Sequence, residues 1–192
     1  MIETIRNLTE LIRVDIIIGF GLYSIVFFLF RRFSDKKEFL NNFDNTAVRF
    51  TIFAGITYGI LWLTGLFLSY NQIDNEMDKI AFNQRLTGPY WYGYWLQTLF
   101  WLLLTQLLWI KPLKKSLIFR IILSILFLLS FERIVIIIKS FHRDFLPSSW
   151  SLNLSFGEII IGLTIKTVIF ILIISGIHFG VNRIKNVLQQ CV

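Results

Sequence analysis

Five runs of apolar residues, each near the length that crosses a bilayer, constrain this chain more than any other feature. They are Val14–Phe30, Phe50–Tyr70, Trp91–Ile110, Leu117–Lys139 and Phe156–Phe179. A helix rises about 1.5 Å per residue, so roughly 20 residues cross the ~30 Å hydrocarbon core. Lipid offers no hydrogen bonds to the backbone, and a helix satisfies its own. Composition agrees: 55% of residues are hydrophobic and only 16% charged, against about 25% charged in an ordinary soluble domain. The expected fold is an all-α integral membrane protein. The second to fifth spans form a four-helix bundle, and the first span packs against it.

Two parts are expected. Residues 1–49 hold an amphipathic lead-in, the first span and a charged loop. Residues 50–192 hold the bundle and a short tail. In the lead-in, Ile5, Leu8, Leu11 and Ile12 share one helical face, which suits a segment lying in the interface. Gly19 and Gly21 suit close contact between helices. Arg31 and Arg32 follow the first run directly and no small-residue cleavage site is visible, so the run reads as a span and not as a cleaved signal. The loop Arg31–Arg49 reads as a short helix beside the headgroups. The loop Asn71–Tyr90 is acidic and closes on Gly88-Pro89. Trp91, Tyr92, Tyr94 and Trp95 then form an aromatic belt.

Lys and Arg placement orients the chain. One side collects eleven: Arg31, Arg32, Lys36, Lys37, Arg49, Lys111, Lys114, Lys115, Arg120, Arg183 and Lys185. The other collects six: Arg6, Arg13, Lys79, Arg85, Lys139 and Arg143. The first side is expected to be cytoplasmic, with the N-terminus and the His142–Trp150 loop outside and the C-terminus inside. The net charge of +7 then reports topology. No basic stretch interleaved with aromatics points to nucleic acid.

Chemistry in such a chain must be membrane-embedded. No Gly-rich phosphate loop, nucleophile–base pair or zinc motif of the HExxH kind occurs, and no catalytic residue is assigned. Cys191 is the only cysteine, so neither a disulfide framework nor a thiolate-bound metal centre arises within the chain. The notable groups are charges inside spans, where each costs roughly 2.5–3.5 kcal/mol unless paired or facing a polar path. Glu132 and Arg133 lie deep in the fourth span. Either they face a proton path or they lock helices together, with Gln97, Thr98, Thr105, Gln106, Glu158 and Lys166 as partners on other spans. Glu158 and Lys166 lie eight residues apart on one face of the last span. Glu158 sits near the outer end and Lys166 near mid-depth, where Glu132 is its expected partner. Beyond the fourth span, His142, Arg143 and Asp144 crowd the outer surface. A His there could accept a proton from a quinol, or the cluster could be a loop held by local hydrogen bonds. His178 lies near the opposite face, so the two His do not suit one haem.

The run Phe131-Glu-Arg-Ile-Val-Ile-Ile-Ile-Lys-Ser-Phe-His-Arg-Asp-Phe-Leu-Pro-Ser-Ser-Trp150 resembles a signature of the NrfD/polysulfide-reductase type of membrane subunit. It is most similar to the quinol-oxidising membrane subunits of alternative complex III. Gly88-Pro-Tyr-Trp-Tyr-Gly-Tyr-Trp95 resembles a second stretch of those subunits. The resemblance covers roughly Phe50 to Phe179 and corresponds to the second of that family's two bundles. It implies a subunit of a respiratory quinol-linked oxidoreductase in a bacterial inner membrane, with iron–sulfur or multihaem partner subunits. It also implies no cofactor held by this chain alone, and quinol at an interface. Glu132 and Arg133 would lie on the proton route, with His142, Arg143, Asp144 and Trp150 in a quinol-proximal loop. The family's first bundle has no counterpart here, and Leu61-Trp-Leu-Thr-Gly-Leu-Phe67 stands where relatives carry a mid-helix acid. Both departures imply the alternative: a half-length paralogue that only scaffolds or anchors a membrane complex.

Overall fold

The computed structural model describes residues 1–89, 91–128 and 156–190. Among them every regular element is helical. Helix α1 runs Ile2–Phe33 and includes a π-helical stretch at Ile12–Ile17. Helix α2 is Lys37–Asn71, α3 Glu76–Thr87 and α4 Trp91–Gln106. A 3₁₀ turn, Leu107–Trp109, and the short α5, Lys111–Lys115, lead into α6, Leu117–Leu128. Helix α7 is Phe156–Gln190.

Three helical stretches are long and apolar enough to cross a membrane: Ile2–Phe33, Lys37–Asn71 and Ile160–Val181. α6 is apolar but its described part is shorter. The rest of the expected Leu117–Lys139 span lies outside the described residues.

Several boundaries differ from the expectation. The lead-in does not separate from the first span. The two form one helix of 32 residues, about 48 Å long. Its N-terminal turns pack along α2, where a Cβ on Gly65 would stand 3.4 Å from Ile5 Cγ2. Stacking on a second helix covers Ile5 and Ile12 of the lead-in's apolar face, while Leu8 and Leu11 stay exposed. The charged loop is likewise shorter than expected, because Lys37–Arg49 forms the first turns of α2. The acidic loop contains α3, which starts where Asn75 accepts a hydrogen bond from the Met77 amide (3.2 Å). Glu76 and Asp78 in its first turn favour the positive helix end.

α1 lies at the centre, packing against α2, α6 and α7. Ile12, Ile16, Ile17, Phe20, Tyr23 and Phe27 make it a principal source of buried apolar side chains. Gly19 and Gly21 explain how its neighbours approach it. A Cβ on Gly19 would stand 3.0 Å from Phe170 Cβ on α7, and one on Gly21 would stand 3.3 Å from Ser124 Cα on α6. Small residues two positions apart thus open different sides of α1 to different neighbours, in keeping with the close contact expected of them. Contacts also fix helix directions. Ile5 meets Gly65 and Tyr23 meets Asp44, so α1 and α2 are antiparallel. Gly55 faces Thr105 and Gly59 faces Leu102, so α2 and α4 are antiparallel. Phe170 meets Phe50 while His178 meets Thr46, so α7 opposes α2.

Candidate functional site

The most developed polar site lies between α1, α2 and α6. Arg120, in the first turn of α6, has no exposed surface. Its Nη1 donates to Asp44 Oδ1 at 2.8 Å and its Nη2 to Asp44 Oδ2 at 2.9 Å, a fork-to-fork pair. Nη1 also reaches Ser24 Oγ (3.4 Å), and Nε donates to the carbonyl of Lys114 (3.0 Å). Four of the five guanidinium donors are therefore engaged. Tyr23 Oη donates to Asp44 Oδ1 at 3.4 Å. Three rings surround the cation: its central carbon lies 5.1 Å from the Phe20 centroid and 5.7 Å from those of Phe27 and Phe28. Local sequence builds this. Phe20, Tyr23, Ser24 and Phe27 recur at helical spacing on α1 and present one face. Ser124, one turn beyond Arg120, donates to the carbonyl of Gly21 and ties α6 to the same stretch. Such an arrangement can hold three helices in register.

A second pair joins α1 to α7. Lys166 Nζ lies 3.4 Å from Asp15 Oδ1 and 3.4 Å from the carbonyl of Val14. Both side chains keep some exposure, 25% for Lys166 and 37% for Asp15. Asp15 falls in the π-helical stretch, whose wider turn shifts the side chains it carries. Arg13, in the same stretch, lies over the Trp101 ring at 5.2 Å. A single contact at 3.4 Å holds less firmly than the 2.8 and 2.9 Å fork of the Arg120 pair. Asp15→Asn is therefore expected to lower the melting temperature in detergent less than breaking the Arg120 pair does. A loss as large as that from breaking the Arg120 pair would contradict this ranking.

Lys166 thus faces α1, and Asp15 is its acidic partner among the described residues; the expected partner, Glu132, lies outside them. Glu158 lies exposed in the first turn of α7. Glu132, Arg133, His142, Arg143, Asp144 and Trp150 lie outside the described residues. Of the polar groups of α4 named as candidate partners for Glu132, Gln106 and Thr105 make these contacts among the described residues. Gln106 Nε2 donates to the carbonyl of Ile52 (3.2 Å) and its Oε1 accepts from Trp109 Nε1 (3.0 Å). Thr105 Oγ1 donates to the carbonyl of Leu102 (2.7 Å). They fasten α4 to α2 and close its own last turn. The aromatic stretch after Gly88 does cluster, with Trp62 of α2 lying 5.5 Å from Tyr94 and 5.3 Å from Trp95.

Sequence reasoning misses Asp44 and Arg120 as a site. Arg120 groups with the cytoplasmic charges because it follows Lys114 and Lys115 closely. The available signal is its position inside the apolar run beginning at Leu117. For Asp44, the signal is the spacing of Ala47, Val48, Thr51 and Gly55, which continues its face along α2. His178 is also buried. Its Nδ1 lies 3.1 Å from Thr46 Oγ1, and the rings of Phe39 and Phe43 are edge-on at 5.7 and 5.6 Å. Among the described residues, no group of three His, Cys, Asp or Glu side chains stands ready to hold a metal ion. Comparison with protein-family models, with curated proteins and with solved structures finds no match.

Proposed function

We propose that this chain is a multi-pass membrane subunit that scaffolds or anchors a membrane complex. The observation that carries this reading is the Asp44–Arg120 pair. A charge pair buried in an apolar bundle and engaged by three helices favours one helix arrangement over others. The proposed topology has five spans, completed by α4 and by the full Leu117–Lys139 run, with the second to fifth spans as a four-helix bundle and α1 in contact with it. The alternating helix directions support this topology. They bring Lys36, Lys37, Lys114 and the Arg183 end of α7 to one side, as the Lys and Arg asymmetry requires. That side is cytoplasmic in this reading, and the membrane is a bacterial inner membrane. Purification in mild detergent is expected to recover the chain with partner subunits. A well-behaved monomer without co-purifying protein would count against the proposal. Cysteine labelling in a Cys191→Ser background tests the orientation: a cysteine near His142 should react from outside without permeabilisation.

The second reading is that the subunit supports quinol oxidation and proton movement in a respiratory oxidoreductase. The resemblance at Phe131–Trp150 supports it, as does the clustering of the Gly88–Trp95 aromatics against Trp62. Quinol would sit at an interface with an iron–sulfur or multihaem subunit, near His142, Arg143, Asp144 and Trp150. Glu132→Gln separates the readings, because Gln keeps hydrogen bonding and removes the titrating group. In the quinol reading, assembly survives while quinol-dependent activity falls. In the scaffold reading, the assembled amount falls and activity per assembled complex holds. Optical spectra of the purified complex identify any haem or iron–sulfur partner.

A further inference from the structure

The junction between α2 and the turn Leu107–Lys115 holds cations that the ion pairs leave unused. Asn45, Arg49 and Phe53 follow at one-turn spacing along one exposed face of α2. At one end of this row, Lys114 Nζ donates to Asn45 Oδ1 (3.0 Å). At the other, Phe53 meets the Trp109 ring edge-on at 6.4 Å. Arg49 stands between these two contacts, one turn from each. No hydrogen bond or ion pair engages its guanidinium among the described residues. The neighbouring acid, Asp44, is already held by both Nη atoms of Arg120. Partial burial pushes the Lys114 ammonium below its usual range, and the Arg49 charge pushes it further, against the opposing pull of Asp44. Cations thus face one another with the local carboxylate neutralised, beside an indole that is 59% exposed.

We propose that Arg49 and Lys114, flanked by Trp109 and Phe53, bind the phosphate of an anionic phospholipid. The inference rests on the membrane reading above. Charge complementarity selects the headgroup, because basic sites between spans attract anionic lipids. The apolar surface selects a lipid over a soluble anion. Beyond Phe53, Ile56 and Ile60 continue the exposed face of α2 away from Arg49, at the spacing that gives an acyl chain a continuous track. Trp109 occupies the position of an interfacial anchor.

Native mass spectrometry of the full chain in mild uncharged detergent tests this, with dioleoyl phosphatidylglycerol and dioleoyl phosphatidylcholine as probes. Phosphatidylglycerol is expected to be retained preferentially. Arg49→Gln should weaken its retention about fivefold, and Arg49→Gln with Lys114→Gln about thirtyfold. Lys79→Gln on α3, at the opposite end of the helices, should change nothing. Lys114→Gln preserves a side-chain donor for Asn45, and melting without lipid checks the fold. If the double variant melts early, the single Arg49→Gln decides. Equal retention of both lipids, or unchanged retention in Arg49→Gln, overturns the proposal. Displacement of phosphatidylglycerol by millimolar inorganic phosphate overturns it in favour of a soluble anion. Failure of the membrane reading has a separate signature, release of the chain from membranes by alkaline carbonate.

Discussion

Asp44→Leu is expected to destabilise the helical assembly by about 3–5 kcal/mol, the usual consequence of stranding one member of a buried pair. Arg120 would keep its contacts with Ser24, the Lys114 carbonyl and three phenylalanine rings, but no anion would balance it. Arg120→Met alone should cost a similar amount by leaving Asp44 unmatched between α1 and α2. The double variant, Asp44→Leu with Arg120→Met, fills the site with apolar groups and should recover most of the loss, since buried ion pairs are often replaceable by well-packed hydrophobic residues. Thermal unfolding of the four proteins in one detergent measures the cycle. Single variants that melt like the parent would show that the pair does not hold the helices. A double variant no better than the singles would show that these residues act independently.

Gly55→Ala should be the most damaging conservative change along α2. A Cβ there would collide with Thr105 Oγ1 and lie only 2.7 Å from Thr105 Cβ. Thr105 is fully buried and its hydroxyl is bonded to the Leu102 carbonyl, so it cannot step aside without losing that bond. Overpacking of this kind costs about 1–3 kcal/mol. Gly59→Ala, one turn away, is the internal control. Its Cβ would meet only Leu102, with Cδ1 and Cδ2 nearest at 3.3 and 3.4 Å. Those are the ends of a flexible side chain, and alanine's better helix propensity offsets the crowding. Gly59→Ala should be neutral or slightly stabilising in the same melting assay. Equal effects at the two sites would mean that α4 does not approach α2 as closely at Gly55 as the structure has it.

Much of the fold is legible in the chain. The apolar runs mark helices, Gly19 and Gly21 mark close approach, and the aromatic residues after Pro89 mark a cluster. The candidate site is less so. Lys166 reads as a buried charge needing an acid, but Asp15 escapes notice because it stands at the edge of the first run, where a carboxylate reads as an interfacial residue. Arg120 reads as part of a loop for the same reason. Hydropathy averages over a window, and a charge near either end of a window looks like a boundary. Helix ends are misread in the same way. Lys37–Arg49 is polar enough to suggest a separate segment, yet backbone hydrogen bonding continues through it into α2 without a break.

Local pattern alone suffices to make apolar helices of membrane-spanning length and to set basic residues at their flanks. Backbone groups must be satisfied within each helix, and charge in a loop is read without reference to distant neighbours. Which helix is central, and which charges pair, emerges only when the helices pack. Asp44 and Arg120 are 76 positions apart, and Asp15 and Lys166 are 151 apart. Nothing in local pattern links residues so distant. Their pairing depends on two glycines letting α6 and α7 close on α1, and on the fork of one guanidinium matching one carboxylate when they do.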